Sequence, residues 1–173
     1  MAIIPPGHHP KLWTNQQIIL YHATTNENTH SILRRIQITR GRSGTDFGRG
    51  FYTTTLERQA RSWAATLSLR RGTAPAVIRF DVDREELANL ECLFFVRGNP
   101  DADDFWSLIW YSRKGGVGHK RGRGRSKSYY DVVVGPVAER WDLRVAFPDY
   151  DQVGFHSDEA AELLNRGKRE RII

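Results

Sequence analysis

The chain has 173 residues, near the usual size of one domain, and is 39% hydrophobic and 11% aromatic with five tryptophans. That richness argues against a disordered chain, and no apolar run approaches the roughly 20 residues of a membrane helix. The single cysteine, Cys92, excludes an intramolecular disulfide and a multi-cysteine metal site, while a net charge of +6 and a pI of about 9.8 suit an anionic partner: a nucleotide, a nucleic acid or an acidic protein.

Residues 1–16 read as an irregular N-terminal arm. They lack the basic start and apolar core of a secretory leader, so an intracellular protein, cytoplasmic or nuclear, is expected. His8 and His9 lie in this arm and read as flexible surface residues more readily than as metal ligands; no metal is expected. Gln17–His22 is apolar and β-prone, hence a strand. Asn26–Ile36 has an apolar stripe at Ile32, Leu33 and Ile36 and reads as a helix capped near Asn28-Thr29. Thr39–Gly50, rich in Gly, Arg, Ser and Thr, is a loop. Gly50–Thr55 reads as a strand, and Leu56–Arg70 has helical spacing at Ala60, Trp63, Ala64 and Leu67.

Ala76–Val82 is the next strand, ending at Asp83, a cap for a short helix through Leu87. Leu90–Val96 is apolar and strand-like, with Cys92 buried and inert within it. Asp101–Ser112 opens on acids that suit a helix N-terminus and turns Phe105, Leu108, Ile109 and Trp106 to a core; Trp110, at helical spacing from Trp106, also reads as core. A basic Gly-rich loop spans 114–128 and is either a nucleic-acid arm or a solvated insertion. Tyr129–Val134 is β-prone, Ala138–Trp141 irregular, and Arg144–Phe147 and Gln152–His156 two short strands. Ser157 caps a helix through Arg166, and 167–173 is a charged, frayed tail. Strands and helices do not alternate regularly, so the fold class is α+β, with one domain over 17–166.

There is no phosphate-binding Gly-x-x-x-x-Gly-Lys-Ser/Thr loop, and Gly48-x-Gly50 is a fragment of a dinucleotide fingerprint that precedes a strand instead of opening a helix. Two segments carry the chemistry. In Tyr21-His22-Ala23-Thr24 a histidine ends a strand among small polar residues; taken alone, it is equally a structural histidine making one hydrogen bond. In Asp46-Phe47-Gly48-Arg49-Gly50-Phe51-Tyr52 two glycines permit close backbone approach beside aromatics able to stack on a flat ligand; taken alone, it is equally a Gly-rich turn with core aromatics.

Together with Gln59-Ala60-Arg61-Ser62-Trp63-Ala64, Tyr130–Ala138 and Gln152–Ser157, in this order, these segments resemble the ADP-ribosyltransferase-like superfamily over roughly Ile19–Leu164. The resemblance implies two small, mainly antiparallel sheets forming a central NAD-binding cleft, with flanking helices. It implies NAD as substrate, with His22 on its ribose, the backbone of residue 23 on the nicotinamide amide and Tyr52 stacked on nicotinamide. Ala23 departs from the usual glycine; the backbone donor survives, and the added methyl is expected to crowd the pocket. His22, Ala23, Thr24, Arg40, Asp46, Phe47, Gly48, Gly50, Phe51 and Tyr52 are the expected NAD-binding residues. Arg40, Arg42 and Arg49 are candidates for the pyrophosphate.

The superfamily's third functional position is usually a late-strand glutamate; the candidates here are Gln152 and Asp131. A carboxylate stabilises the oxocarbenium-like centre left when the nicotinamide–ribose bond breaks and activates a nucleophile. A glutamine orients the ribose but is no base at neutral pH. The reaction implied is mono-ADP-ribosyl transfer to a protein or nucleic-acid acceptor. The alternatives are NAD glycohydrolase activity and a degenerate module that binds ADP-ribose or nucleic acid. No membrane partner is expected.

Overall fold

A computed structural model describes residues 17–96, 103–119 and 129–173. The arm over 1–16 and most of the basic loop lie outside the described residues. Within them the chain is α+β, with two small sheets and five α-helices.

The first sheet has three strands. β1 (Ile18–Thr25) pairs antiparallel with β3 (Pro75–Val82), in register from Ile18↔Val82 to Thr25↔Pro75. The other edge of β3 takes β7 (Lys168–Arg171). The second sheet runs β2 (Phe51–Thr53), β6 (Val145–Phe155), β5 (Val132–Arg140), β4 (Cys92–Phe94); only β4–β5 is parallel. Tyr21 and Thr54 exchange backbone hydrogen bonds of 2.8 and 2.9 Å, and this bridge joins β1 of one sheet to the end of β2 in the other.

One core spans both sheets. Leu20, Ile78 and Phe80 from the first meet Val132, Val153 and Phe155 from the second, and α5 (Asp158–Arg166) adds Ala160, Ala161, Leu163 and Leu164. A second cluster, Phe47, Phe105, Trp106, Ile109, Val133 and Ala138, lies under α4 (Asp103–Arg113). α2 (Glu57–Arg71) lays Ala60 and Ala64 on Val77 and ends at Gly72, whose φ of 64° is the left-handed cap conformation glycine adopts without strain.

Two caps match the sequence reading. Asp83 accepts from the amides of Glu85 and Glu86 at the start of α3 (Arg84–Ala88), and Ser157 accepts from Ala160 N at the start of α5. Several expectations are corrected. α1 spans Asn26–Arg34 with Thr25 at the N-cap position, so Asn28 and Thr29 lie inside the helix. The segment Ala138–Trp141 is the end of β5, bulged at Pro136/Ala138 and Ala138/Arg140, running into a 3-10 turn at Trp141–Leu143. The two short strands over 144–156 are one eleven-residue strand, β6; its central Pro-Asp-Tyr-Asp run lacks strand propensity, and pairing with β5 carries it.

The tail is strand β7, not frayed. Its charged residues conceal it: Arg169 donates to the carbonyls of Leu33 and Arg34 at the end of α1 and of Leu164 and Asn165 in the last turn of α5. A guanidinium fork there satisfies helix carbonyls that have no intrahelical partner. Trp110, expected in the core, is 58% exposed, and Trp63 is 50% exposed; each lies on the outer face of its helix.

Candidate functional site

His22 lies at the seam between the sheets. Alternation along β1 sends Leu20 into the shared core and Tyr21 and Ala23 to the opposite face, against α2. The His22 ring stacks on Phe51 at 4.2 Å between centroids, with planes 22° apart. Nδ1 lies 2.6 Å from the carbonyl oxygen of Tyr52. Burial pulls its pKa down to about 4, partly offset by that carbonyl. The ring is therefore neutral at pH 7, with Nδ1 donating to Tyr52 and Nε2 keeping a lone pair for a ligand hydroxyl. Phe51 thus backs the histidine.

The departure at Ala23 has a structural reading. Its methyl packs with Ala60, Ala64 and Val77 beneath α2, on the face of β1 away from His22. The added carbon therefore fills a helix contact and does not crowd the histidine side. Thr24 is buried.

The second segment folds into a self-supporting loop. Gly48 has φ of 82°, a left-handed value that favours glycine. The Tyr52 hydroxyl donates to the Gly48 carbonyl at 2.6 Å and accepts from Phe47 N at 3.1 Å and from the Thr45 hydroxyl at 2.9 Å. Burial, the largest influence, pushes this phenol's pKa well up. Phe47 is fully buried among Phe95, Phe105 and Tyr52, so it is a core residue in place of the ligand contact expected from the motif.

Asp46 is 3% exposed and acts as a hub. Oδ1 accepts from Nε and Nη2 of Arg113 at 2.9 and 2.5 Å; Oδ2 accepts from Ala138 N at 2.9 Å and from Gln152 Nε2 at 2.6 Å. The carboxylate therefore ties the loop to α4, β5 and β6.

Gly50 does not leave room for a ligand. A Cβ there would lie 2.6 Å from Nδ1 of His156 and 2.8 Å from the Phe155 carbonyl. Gly154 faces the same ring from the other side: a Cβ would lie 2.6 Å from His156 Nε2 and 3.2 Å from Tyr52 Cε1. The two glycines form a cradle for one imidazole. Nδ1 of His156 donates to the Arg49 carbonyl at 2.9 Å, burial pulls its pKa to about 4, and buried Nε2 has no hydrogen-bond partner among the described residues.

His156 packs edge-to-face on Tyr52 at 5.7 Å and on His119 at 4.7 Å, and lies nearly parallel to Tyr129 at 6.3 Å. Nδ1 of His119 accepts from Tyr130 N at 3.1 Å, and burial, helped by His156, holds its pKa near 3. Sequence reasoning missed His119, His156 and Arg113 as parts of this assembly. For His156 a signal existed: Gly154 and His156 are two apart in and beside one strand, so they share a face. Arg113 gave none, since its partner lies 67 residues away.

The two candidates for the third position are both engaged in the framework. Gln152 is 8% exposed, its amide nitrogen donating to Asp46 and to the Pro136 carbonyl at 2.9 Å. Asp131 is 2% exposed; its Oδ2 accepts from Glu91 N at 3.0 Å and its carbonyl accepts from His156 N at 2.8 Å, fixing β4 and the end of β6 to the start of β5. Arg40, Arg42 and Arg49 are exposed, and Arg40 donates to Ser31 at 2.6 Å. Cys92 is half-buried, its thiol pKa pushed up by burial and by Asp131.

A family model described as a protein of unknown function, DUF3990, matches residues 18–171. The chain belongs to this family. The DUF3990 match opens on the first residue of β1 and closes on the last of β7, so it takes in both sheets and every site residue above. No curated protein and no solved structure matches the chain. Among the described residues no group of three His, Cys, Asp or Glu is placed to hold a metal ion, and no helix is long and apolar enough to cross a membrane.

Proposed function

We propose that the chain binds NAD⁺ at the seam between its two sheets and cleaves the nicotinamide–ribose bond, passing ADP-ribose to a macromolecular acceptor. The observation that carries this reading is the neutral His22, with Nδ1 committed to the Tyr52 carbonyl and Nε2 left as an acceptor. An imidazole fixed in one tautomer selects a hydroxyl donor such as a ribose hydroxyl. Tyr52, in β2, lends His22 that carbonyl, and its partly buried ring is the flat surface this reading assigns to nicotinamide. Nicotinamide leaves as a neutral group from a cationic ring, so scission needs orientation of the ribose more than a strong base. Arg42 and Arg49, both exposed, suit the pyrophosphate.

The test mixes the full chain with NAD⁺ and follows released nicotinamide by chromatography, with binding measured by calorimetry. Release that falls at least tenfold in His22→Ala supports the reading. No release and no binding would remove it. Labelled NAD⁺ then separates a transferase, which marks the acceptor, from a glycohydrolase, which yields free ADP-ribose.

A second reading, a module that binds ADP-ribose or NAD⁺ without turnover, is favoured by the engagement of Gln152 and Asp131 in the framework. It is distinguished by binding that His22→Ala weakens, with no nicotinamide released.

A further inference from the structure

Away from His22, on the outer side of α4, an open cleft of about 350 Å³ is lined by Trp106, Ser107, Trp110, Trp141, Asp142 and Arg144. Trp106 and Trp110 lie four residues apart on one face of α4, and Lys114 continues that line a turn later. Trp141 faces them from the 3-10 turn after β5, and Lys114 Nζ lies over its ring at 5.7 Å. Such a volume accommodates one flat heteroaromatic group. Trp110 is 58% exposed, which leaves its indole open to a ligand.

The charges at the rim choose the ligand's sign. Lys114, Arg140 and Arg144 stand there against Asp103 and Asp142. Both acids already have partners: Asp142 with Arg140 at 3.2 Å and Asp103 with Arg144 at 2.7 Å. A cationic ligand would meet three cations and two occupied carboxylates. An anionic ligand meets a lysine and two arginines whose exposed ion pairs exchange at little cost. Arg144 also holds φ of 54°, the one non-glycine positive φ among the described residues. A glycine would take that conformation more cheaply, so the position retains a guanidinium against a backbone cost.

We propose that this cleft is a subsite for single-stranded nucleic acid, with a base stacked against Trp110 and Trp141 and the adjoining phosphates taken by Arg144, Arg140 and Lys114. Unpaired bases expose the faces that indoles bind, while a duplex hides them. The site stands apart from the NAD⁺ reading, and neither depends on the other.

The test titrates the full chain with fluorescein-labelled oligo(dT) and oligo(U) of about 12 nucleotides, read by anisotropy at low salt. Trp110→Ala should weaken binding of at least one of them by about fivefold or more, and Trp110→Phe should retain most of it. Arg144→Gln should reduce the slope of log K against log salt by about 0.7, the share of one phosphate on a single strand. An abasic strand of the same length should bind the wild type more weakly, by the same factor as Trp110→Ala. The proposal is overturned if neither oligonucleotide binds, if Trp110→Ala binds as wild type while its thermal unfolding is unchanged, or if abasic or duplex DNA binds equally well. Capture of a trimethyllysine peptide in place of the oligonucleotides would also overturn it.

Discussion

The side-chain amide of Gln152 donates to Oδ2 of Asp46 at 2.6 Å, across 106 residues of chain, inside a pocket that leaves both residues under a tenth exposed. The relationship requires a donor at 152. A carboxylate there would face the Asp46 carboxylate with no proton between them.

Gln152→Glu should therefore destabilise the fold at pH 7, by about 2–4 kcal/mol, as a buried charge without its donor. Part of the loss should return at pH 5, where one carboxyl of the pair holds a proton. Urea unfolding at the two pH values checks both statements. An unchanged midpoint at pH 7 would show that the amide is dispensable.

Gly154→Ala should cost about 1–3 kcal/mol, because the new methyl meets the rings of His156 and Tyr52. Adding His156→Ala should recover much of this, giving a favourable coupling in a double-mutant cycle. Gly50→Ala should not be rescued in the same way, since its methyl also meets the Phe155 carbonyl at 2.8 Å. Additive costs for the Gly154 and His156 changes would contradict the cradle.

Acidification should weaken the fold through its buried histidines. The folded pKa of His156 is about 4, below the roughly 6.5 of an unfolded histidine, so the unfolded chain takes the proton first. The stability this group protects is complete above pH 6.5 and is lost as pH falls toward 4, on the order of 3 kcal/mol. His22 moves in the same direction. Urea midpoints between pH 7.5 and 4.5 should fall, and the fall should be shallower in His156→Ala.

Arg169→Ala should destabilise by about 1–3 kcal/mol, because four carbonyls of α1 and α5 lose one shared donor. Arg169→Lys should recover little, since an ammonium cannot span the fork. Thermal unfolding of the two variants decides this.

Much of the architecture was legible from pattern. β1, β3, α2, α4 and α5 follow from apolar periodicity, and Asp83 and Ser157 announce their helices by capping chemistry. What failed was structure supplied by partners. β7 is charged throughout and exists because β3 offers an edge and helix ends offer carbonyls. β6 crosses a polar stretch because β5 pairs with it.

The site shows the same division. His22 and Tyr52 were legible as a pair, and the structure joins them directly. The glycines of the second segment suggested space for a ligand; the occupant of Gly50 is His156, more than a hundred residues away. Asp46 and Gln152 looked like separate ligand contacts and are halves of one buried bond. Local sequence identifies chemically able residues, but their partners are fixed by pairings far apart in the chain.

The aromatic knot at His119, Tyr129 and Tyr130 bears on how this protein can be rebuilt. His119 and Tyr130, eleven residues apart in the chain, are joined by the Tyr130 amide, which bonds the His119 ring at 3.1 Å. Two points of the chain are thus held together by contacts of their own. Loop closure adds only about 0.6 kcal/mol for each doubling of length. A fluorescent reporter or affinity domain with neighbouring termini, spliced between these two points, should accordingly leave both sheets as they are.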